Sequence, residues 1–206
     1  MTYFRIENLT FHTFSDLNLT ISTGECIGIN GPSGVGKSLF LRCLADLDPY
    51  AGMVYLEDLP ANLIPAPLWR KQVALLPADA VWWFPKVGDH LKTIELKWLI
   101  WLGFEKSALD WKISRLSSGE KQRLALLRIL CNHPKILLLD EPTANLDREN
   151  ARSIEELIIH LCRQNGLAVV WVSHDIQQLN RIADRRFKLS PKGLETVAID
   201  SAVPLK

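Results

Sequence analysis

The sequence predicts an α/β fold built on a parallel sheet, and three observations point there. Short, nearly continuous apolar runs at Ile136 to Leu139 and Leu167 to Val172 have the composition of strands covered on both faces. Helical patterns lie between them, and alternation of strand, loop and helix argues for α/β architecture. A compact strand, Cys26 to Asn30, runs straight into a glycine-rich loop and then an apolar helix, Leu39 to Leu47.

The other elements are quieter. Phe4 to Leu9 and Leu17 to Ile21 alternate in polarity and predict two short strands, and Gly52 to Leu56 suggests an edge strand. From Val87 to Trp111 strand character is absent, and the stretch reads as helices, a small lobe set into the main domain.

At 206 residues the chain fits one domain and can bury a substantial core. Its 48% hydrophobic and 23% charged residues are those of an ordinary globular protein, and the net charge of +1 gives no global reason to expect nucleic acid. Cys26, Cys43, Cys131 and Cys162 stand far apart, so reduced structural thiols are expected rather than a zinc site. The amino end shows no basic stretch followed by an apolar run, so no signal peptide is expected. The densest apolar stretch, Trp98 to Leu102, is five residues long, against the ~18 needed to span a bilayer. Any role at a membrane must come through a partner.

The strongest local signal is Gly31-Pro32-Ser33-Gly34-Val35-Gly36-Lys37-Ser38, which matches G-x-x-x-x-G-K-[ST]. The glycines let the backbone turn with its N–H groups inward, close to phosphate oxygens. Lys37 reaches the β- and γ-phosphates, Ser38 can ligate Mg²⁺, and the helix that begins around Leu39 points its positive end at the same anion. A nucleotide triphosphate is the expected ligand.

A second signal is Ile136-Leu137-Leu138-Leu139-Asp140-Glu141, four apolar residues ending in two carboxylates. A buried strand that delivers acids at its carboxyl end places them where ligands bind in open α/β sheets. Asp140 would hold Mg²⁺, and Glu141 would polarise the water that attacks the γ-phosphate.

Further motifs make the resemblance specific. Leu116-Ser117-Ser118-Gly119-Glu120, followed by Lys121 to Ala125, resembles the signature of ABC ATPases and precedes the acidic strand in their characteristic order. Ala144-Asn145-Leu146-Asp147 resembles their D-loop, and Ser173-His174-Asp175 resembles their switch histidine. The resemblance covers nearly the whole chain. It implies a P-loop NTPase fold with an N-terminal antiparallel β subdomain and a short inserted helical subdomain. One domain over 1–206 is expected, with core segments at about 1–80 and 132–206 and the helical signature subdomain at about 81–131. In such proteins two subunits associate head to tail, so Ser117 and Gly119 would contact the γ-phosphate of the partner's site, helped by the N-terminus of the Glu120 to Cys131 helix, with Ser118 and Glu120 in the same binding set. His174 would align the γ-phosphate and attacking water, and Asp147 would communicate across the dimer. Leu124, Leu126, Leu127 and Leu130 are expected in the core. His12, His90, His133 and His160 carry no motif.

The sequence departs from the family pattern in places. A glutamine usually stands in a loop between the phosphate loop and the signature, and Ala78 occupies that position here. Alanine offers no oxygen to a metal or water. Slower hydrolysis is expected, with Mg²⁺ held mainly by Ser38 and Asp140; Asp79 is a partial substitute. An aromatic usually precedes the phosphate loop as a platform for adenine. Phe11 and Phe14 are both candidates, and Phe11 is placed in the binding set with the loop residues and Leu39. Ser118 replaces the commonest signature glycine.

Trp82, Trp83, Phe84, Trp98 and Trp101 gather in the helical stretch. They either form its core or line a groove for a membrane subunit. The resemblance thus implies an ATP-binding and hydrolysing subunit of an ABC transporter. It would be cytoplasmic and peripheral on the inner face of the membrane, held by a separate transmembrane partner. Pro134 to Asp147 and Trp171 to His174 are similar to small bacterial subunits of the iron-export type. Alternatives are a soluble ABC ATPase of repair or translation and a nucleotide-gated dimerisation module that scarcely hydrolyses.

Overall fold

The computed structural model describes residues 2–91, 93 and 95–199. A six-stranded sheet forms its centre, from β3 (Cys26–Asn30), β6 (Val73–Leu76), β7 (Ile136–Asp140), β8 (Ala168–Val172), β9 (Arg185–Ser190) and β10 (Gly193–Val197). The order is β10-β9-β3-β8-β7-β6; all neighbours run parallel except β10, which pairs antiparallel with β9. Every residue of β7 and β8 is buried, as the apolar runs predict. Strand pleating then sorts the side chains. Ile27, Ile29, Ile136, Leu138, Val170 and Val172 join one apolar cluster, and Cys26, Leu137, Leu139, Val169 and Trp171 join another on the opposite face.

The first cluster is covered by an antiparallel layer and a helix. β1 (Thr2–Phe11), β2 (Phe14–Ser22), β4 (Ala51–Leu56) and β5 (Leu59–Pro60) form a four-stranded sheet in the order β2-β1-β4-β5. The two expected strands are longer than their alternating cores, and His12 and Thr13 alone separate β1 from β2. β4 lies one strand in from the edge, because β5 covers it over two residues. Helix α1 (Lys37–Leu44) starts earlier and ends sooner than Leu39 to Leu47. The backbone turns left-handed at Asp46 (φ 54°), which stops the helix before Pro49. Helix α2 (Ala66–Gln72) begins after Pro65, and its fully buried Trp69 donates its indole N–H to the Leu44 carbonyl at 3.0 Å.

On the other face lie α3 (Leu96–Trp101), α4 (Ser118–Leu130), α5 (Arg148–Asn165) and α6 (Ile176–Ile182). Leu124, Leu126, Leu127 and Leu130 are buried, as expected. The stretch from Val87 to Trp111 is less helical than the sequence suggests. Among its described residues only α3 is an α-helix, flanked by 3-10 turns at Gly88–His90 and Lys106–Asp110. Gly103, at φ 78°, ends α3 after its six residues. Trp98, Leu99, Leu102 and Phe104 nevertheless share one cluster with β7, β8 and α5. Among the described residues no helix is long and apolar enough to cross a membrane.

β9, β10 and α2 are additions that the apolar patterns did not single out. Packing of α6 onto the central sheet depends on Gly28, where an added Cβ would lie 3.1 Å from both Ala183 Cβ and a Leu179 methyl. Gly28→Val should therefore destabilise the chain by about 1–3 kcal/mol, the usual cost of overpacking a full core. A lowered urea midpoint at unchanged m-value would show it.

Candidate nucleotide site

β3 ends at Asn30, and the phosphate loop then doubles back into α1. At Gly31 any Cβ would sit 2.3 Å from the Leu189 carbonyl oxygen on β9, so only glycine lets the loop leave the sheet there. At Gly36 the backbone has φ 109°, and an added Cβ would meet the Phe14 ring at 3.2 Å. α1 starts at Gly36 without a side-chain cap. Its first-turn N–H groups therefore have no side-chain acceptor and are available to an anion. Val35 packs inward on the core, while Pro32, Ser33, Gly34, Ser38 and Leu39 are exposed.

Lys37 is buried, and its Nζ donates to the carbonyls of Gly31 at 2.9 Å and Pro32 at 3.0 Å. Burial pulls its pKa down, and the charges of Glu141 and Asp140 oppose that pull. The ammonium is held by its own loop, in the field of those two carboxylates.

Those carboxylates arrive on β7. Asp140 is 8% exposed and ends the strand. Glu141 has φ 48°, a costly conformation for a non-glycine residue, and its N–H donates to the Val172 carbonyl at 3.1 Å. The bend is thus fixed by the neighbouring strand. Burial pushes the Glu141 carboxyl pKa up, against the lowering influence of His174 and Lys37. Its Oε1 is buried without a hydrogen-bond partner. His174 Nε2 lies 3.4 Å from that oxygen, close but not aligned for a hydrogen bond, and 3.4 Å from Lys37 Nζ. The histidine follows β8, whose continuation is tied to β3 by the Ser173 N–H on the Ile29 carbonyl at 3.1 Å.

One cleft is therefore lined by Ser33, Gly34, Gly36, Lys37, Ser38, Leu39, Asp140, Glu141 and His174. The parallel strands β3, β7 and β8 deliver all of its chemistry from their carboxyl ends. The donors suit a hard cation. Ser38 offers a hydroxyl and Asp140 a carboxylate, beside the unpartnered oxygen of Glu141. Among the described residues no group of three or more His, Cys, Asp and Glu residues forms a metal cage. Mg²⁺ typically takes one or two protein oxygens and draws the rest from phosphate and water, so the set fits it.

The signature lies elsewhere. Ser117 caps α4 in a reciprocal box: its Oγ accepts from the Glu120 N–H at 3.2 Å, and its N–H donates to Glu120 Oε2 at 2.8 Å. The Ser117 N–H and hydroxyl, both donating to the Glu120 carboxylate, lower its pKa. Ser117 and Ser118 are exposed, and none of Ser117, Ser118, Gly119 and Glu120 lines the cleft of the same chain. Gly119 instead packs on the D-loop, where its Cβ would come within 2.8 Å of a Leu146 methyl. Asp147, exposed, caps α5 by accepting from the Asn150 N–H at 2.9 Å, which lowers its pKa.

Phe11 needs correcting. It is 5% exposed and Phe14 3%, with ring centroids 5.2 Å apart and Phe40 5.9 Å from Phe11. Both rings serve the core and prop Gly36 from beneath, so neither offers a face to a base. The exposed residues at that turn are His12 and Thr13.

Ala78 is exposed just past β6. β6 pairs with β7 up to Leu76 and Leu139, so position 78 falls two residues beyond the last pair, level with Glu141. Sequence reasoning missed how α4 holds this loop. Gln122 donates to the Pro77 carbonyl at 3.2 Å, and Arg128 donates to the Val81 carbonyl at 2.8 Å while lying over Trp82 and Trp83. A polar Gln122 beside the buried leucines of α4 was the available signal. The aromatic group divides: Trp98 is core, Trp82 is half-buried, and Trp83, Phe84 and Trp101 are exposed.

Comparisons agree with this geometry. The ABC transporter family model matches residues 14–144. The chain is 34% identical over 190 residues to the probable iron export ATP-binding protein FetA of Escherichia coli (strain K12), covering 86% of this chain and 84% of that protein. It is 39% identical over 181 residues to protein STAR1 of Oryza sativa subsp. japonica, covering 82% of this chain and about half, 52%, of that longer protein. A solved dimer of the ATP-binding cassette MJ0796 in a post-hydrolysis state, bound to ADP and Pi, superposes with a TM-score of 0.78 at 25% identity, covering 96% of this chain and 99% of that one. The chain belongs to the ABC transporter family.

Proposed function

We propose that the chain binds MgATP in the cleft around Lys37, hydrolyses it, and powers transport through a separate transmembrane partner. The observation that carries this is the convergence of Lys37, Asp140, Glu141 and His174 on one cleft at the strand ends. Loop amides and Lys37 grip the phosphates. Ser38 and Asp140 hold the Mg²⁺, which neutralises charge on the phosphate oxygens. Glu141, kept partly desolvated, takes up the proton of the attacking water, and His174, whose Nε2 lies 3.4 Å from Glu141 Oε1, orients that water.

Two copies associate head to tail, because Ser117 and Ser118 are exposed and the signature lies outside its own chain's cleft. Ser117, Ser118 and the α4 N-terminus supply donors to the partner's γ-phosphate. The similarity to FetA, named for iron export, favours transport over the soluble alternative. Relatives named for aliphatic sulfonate import match as well, since the motifs serve ATP while cargo is chosen by the membrane subunit. The helical stretch, about 81–131, is the signature subdomain. There Val81, Trp83 and Phe84 present an exposed apolar surface, braced by Arg128, to that subunit. Docking through this surface keeps the chain peripheral on the cytoplasmic face.

Glu141→Gln should lower ATP turnover by about 100-fold or more while MgATP affinity stays within a few-fold. Equal loss of both, or no loss of turnover, would contradict the assignment. The raised Glu141 pKa carries a sign as well. The base form is lost on acidification at a higher pH than for an ordinary glutamate near ~4.3. The acid limb of the kcat profile should lie above that value and vanish in Glu141→Gln.

Ala78→Gln places an amide level with Glu141. It should raise kcat roughly threefold to tenfold by helping to orient the attacking water. Unchanged turnover would show that the missing glutamine does not limit hydrolysis.

A further inference from the structure

Behind the reactive turns lies a buried polar cluster that no motif accounts for. Glu155 on α5 is 5% exposed, Gln178 on α6 3%, and Thr143, two residues past Glu141, 9%. Gln178 Nε2 donates to Glu155 Oε1 at 2.7 Å and lies 2.9 Å from Thr143 Oγ1. Arg181, one turn along α6, donates to Glu155 Oε1 at 3.1 Å and balances its charge. Gln178 also donates its N–H to Asp175, the residue after His174, at 3.0 Å.

The location distinguishes this cluster from ordinary core polarity. Thr143 belongs to the turn that carries Glu141. Gln178 sits on the helix that His174 leads into. Glu155 sits on the helix that Asp147 caps. Thr143, Glu155, Gln178 and Arg181 line a second pocket, distinct from the nucleotide cleft, that Glu141 and His174 also border. One amide thus joins three segments that sequence places far apart. Both ends of the Gln178 amide and the Glu155 carboxylate are paired, while Arg181 Nε has no partner; pairing at the bridging groups is what holds one geometry.

We propose that Thr143, Gln178, Glu155 and Arg181 form a positioning cluster that fixes the Glu141 turn relative to the His174 turn. They touch no phosphate. They keep a strained glutamate and an exposed histidine 3.4 Å apart. This rests on the proposed hydrolytic roles of Glu141 and His174. A displacement of about 1 Å in such a pair is enough to cost up to ~10²-fold in rate.

The test compares Gln178→Leu and Thr143→Val, which delete the bridging groups, with Thr143→Ser, which keeps the hydroxyl. In the purified full chain one measures kcat and KM for MgATP, MgATP Kd by calorimetry, the urea midpoint, and amide hydrogen exchange at the turns 141–147 and 173–178. Expected are a fall in kcat of roughly tenfold or more for the deletions, Kd within twofold, faster exchange at both turns, and near-normal kcat for Thr143→Ser. Wild-type kcat in both deletions, or unaltered exchange at the turns, overturns the proposal. A parallel fall of kcat, affinity and urea midpoint also overturns it, because it marks plain structural support. Should the wild type bind MgATP without turning it over, the hydrolytic reading fails instead, and the exchange data alone decide the cluster.

Discussion

The site depends on a buried ammonium that parallel strands place in the field of two carboxylates. β3 carries the loop that ends in Lys37, β7 ends in Asp140 and Glu141, and β8 leads to His174. Because β3, β8 and β7 are consecutive neighbours, their carboxyl ends share one edge. None of these groups could be moved alone. Taking the Lys37 ammonium out of water is unfavourable, and the charges of Glu141 and Asp140 offset part of that penalty. Sheet order therefore fixes the electrostatics, and alternation of side chains along β7 and β8 fixes the sheet between two apolar clusters.

The rest of the chain supports that edge from both sides. Beneath the phosphate loop, Phe11 and Phe14 fill the space under Gly36. Against the other face, α4 reaches from the signature to the 77–85 loop through Gln122 and Arg128. Gly119 contacts Leu146, so signature and D-loop form one surface. A shift of α4 would be felt at the exposed aromatic surface, at the loop beside Glu141, and at the face offered to a second copy. That continuity suits the proposed coupling of hydrolysis to a membrane partner.

Much of this was legible in the sequence, for definite reasons. The phosphate loop and the acidic strand are local constellations, each written by neighbouring residues. The strands β3, β7 and β8 announce themselves because burial on both faces leaves no room for polar residues. What escaped was non-local. Phe11 sits where a stacking aromatic would be sought, yet packing against Phe14 and Phe40 outweighs that use, and only coordinates reveal it. β9, with Arg185, Arg186 and Lys188, reads as polar although it pairs in the central sheet. The helical stretch was overestimated because its Trp and Leu content signals burial, while Gly88 and Gly103 cut it into turns. The Thr143–Gln178–Glu155 cluster joins residues up to 35 positions apart and leaves no periodic trace.

The central claim is that Lys37 and the surrounding amides grip a triphosphate. Calorimetric titration of MgATP into the wild type and into Lys37→Ala tests it most directly. Micromolar-range binding that weakens by about 100-fold, or ~2.7 kcal/mol, in the variant is the predicted result. Equal affinity in the two proteins, or no heat of binding in either, would contradict the account.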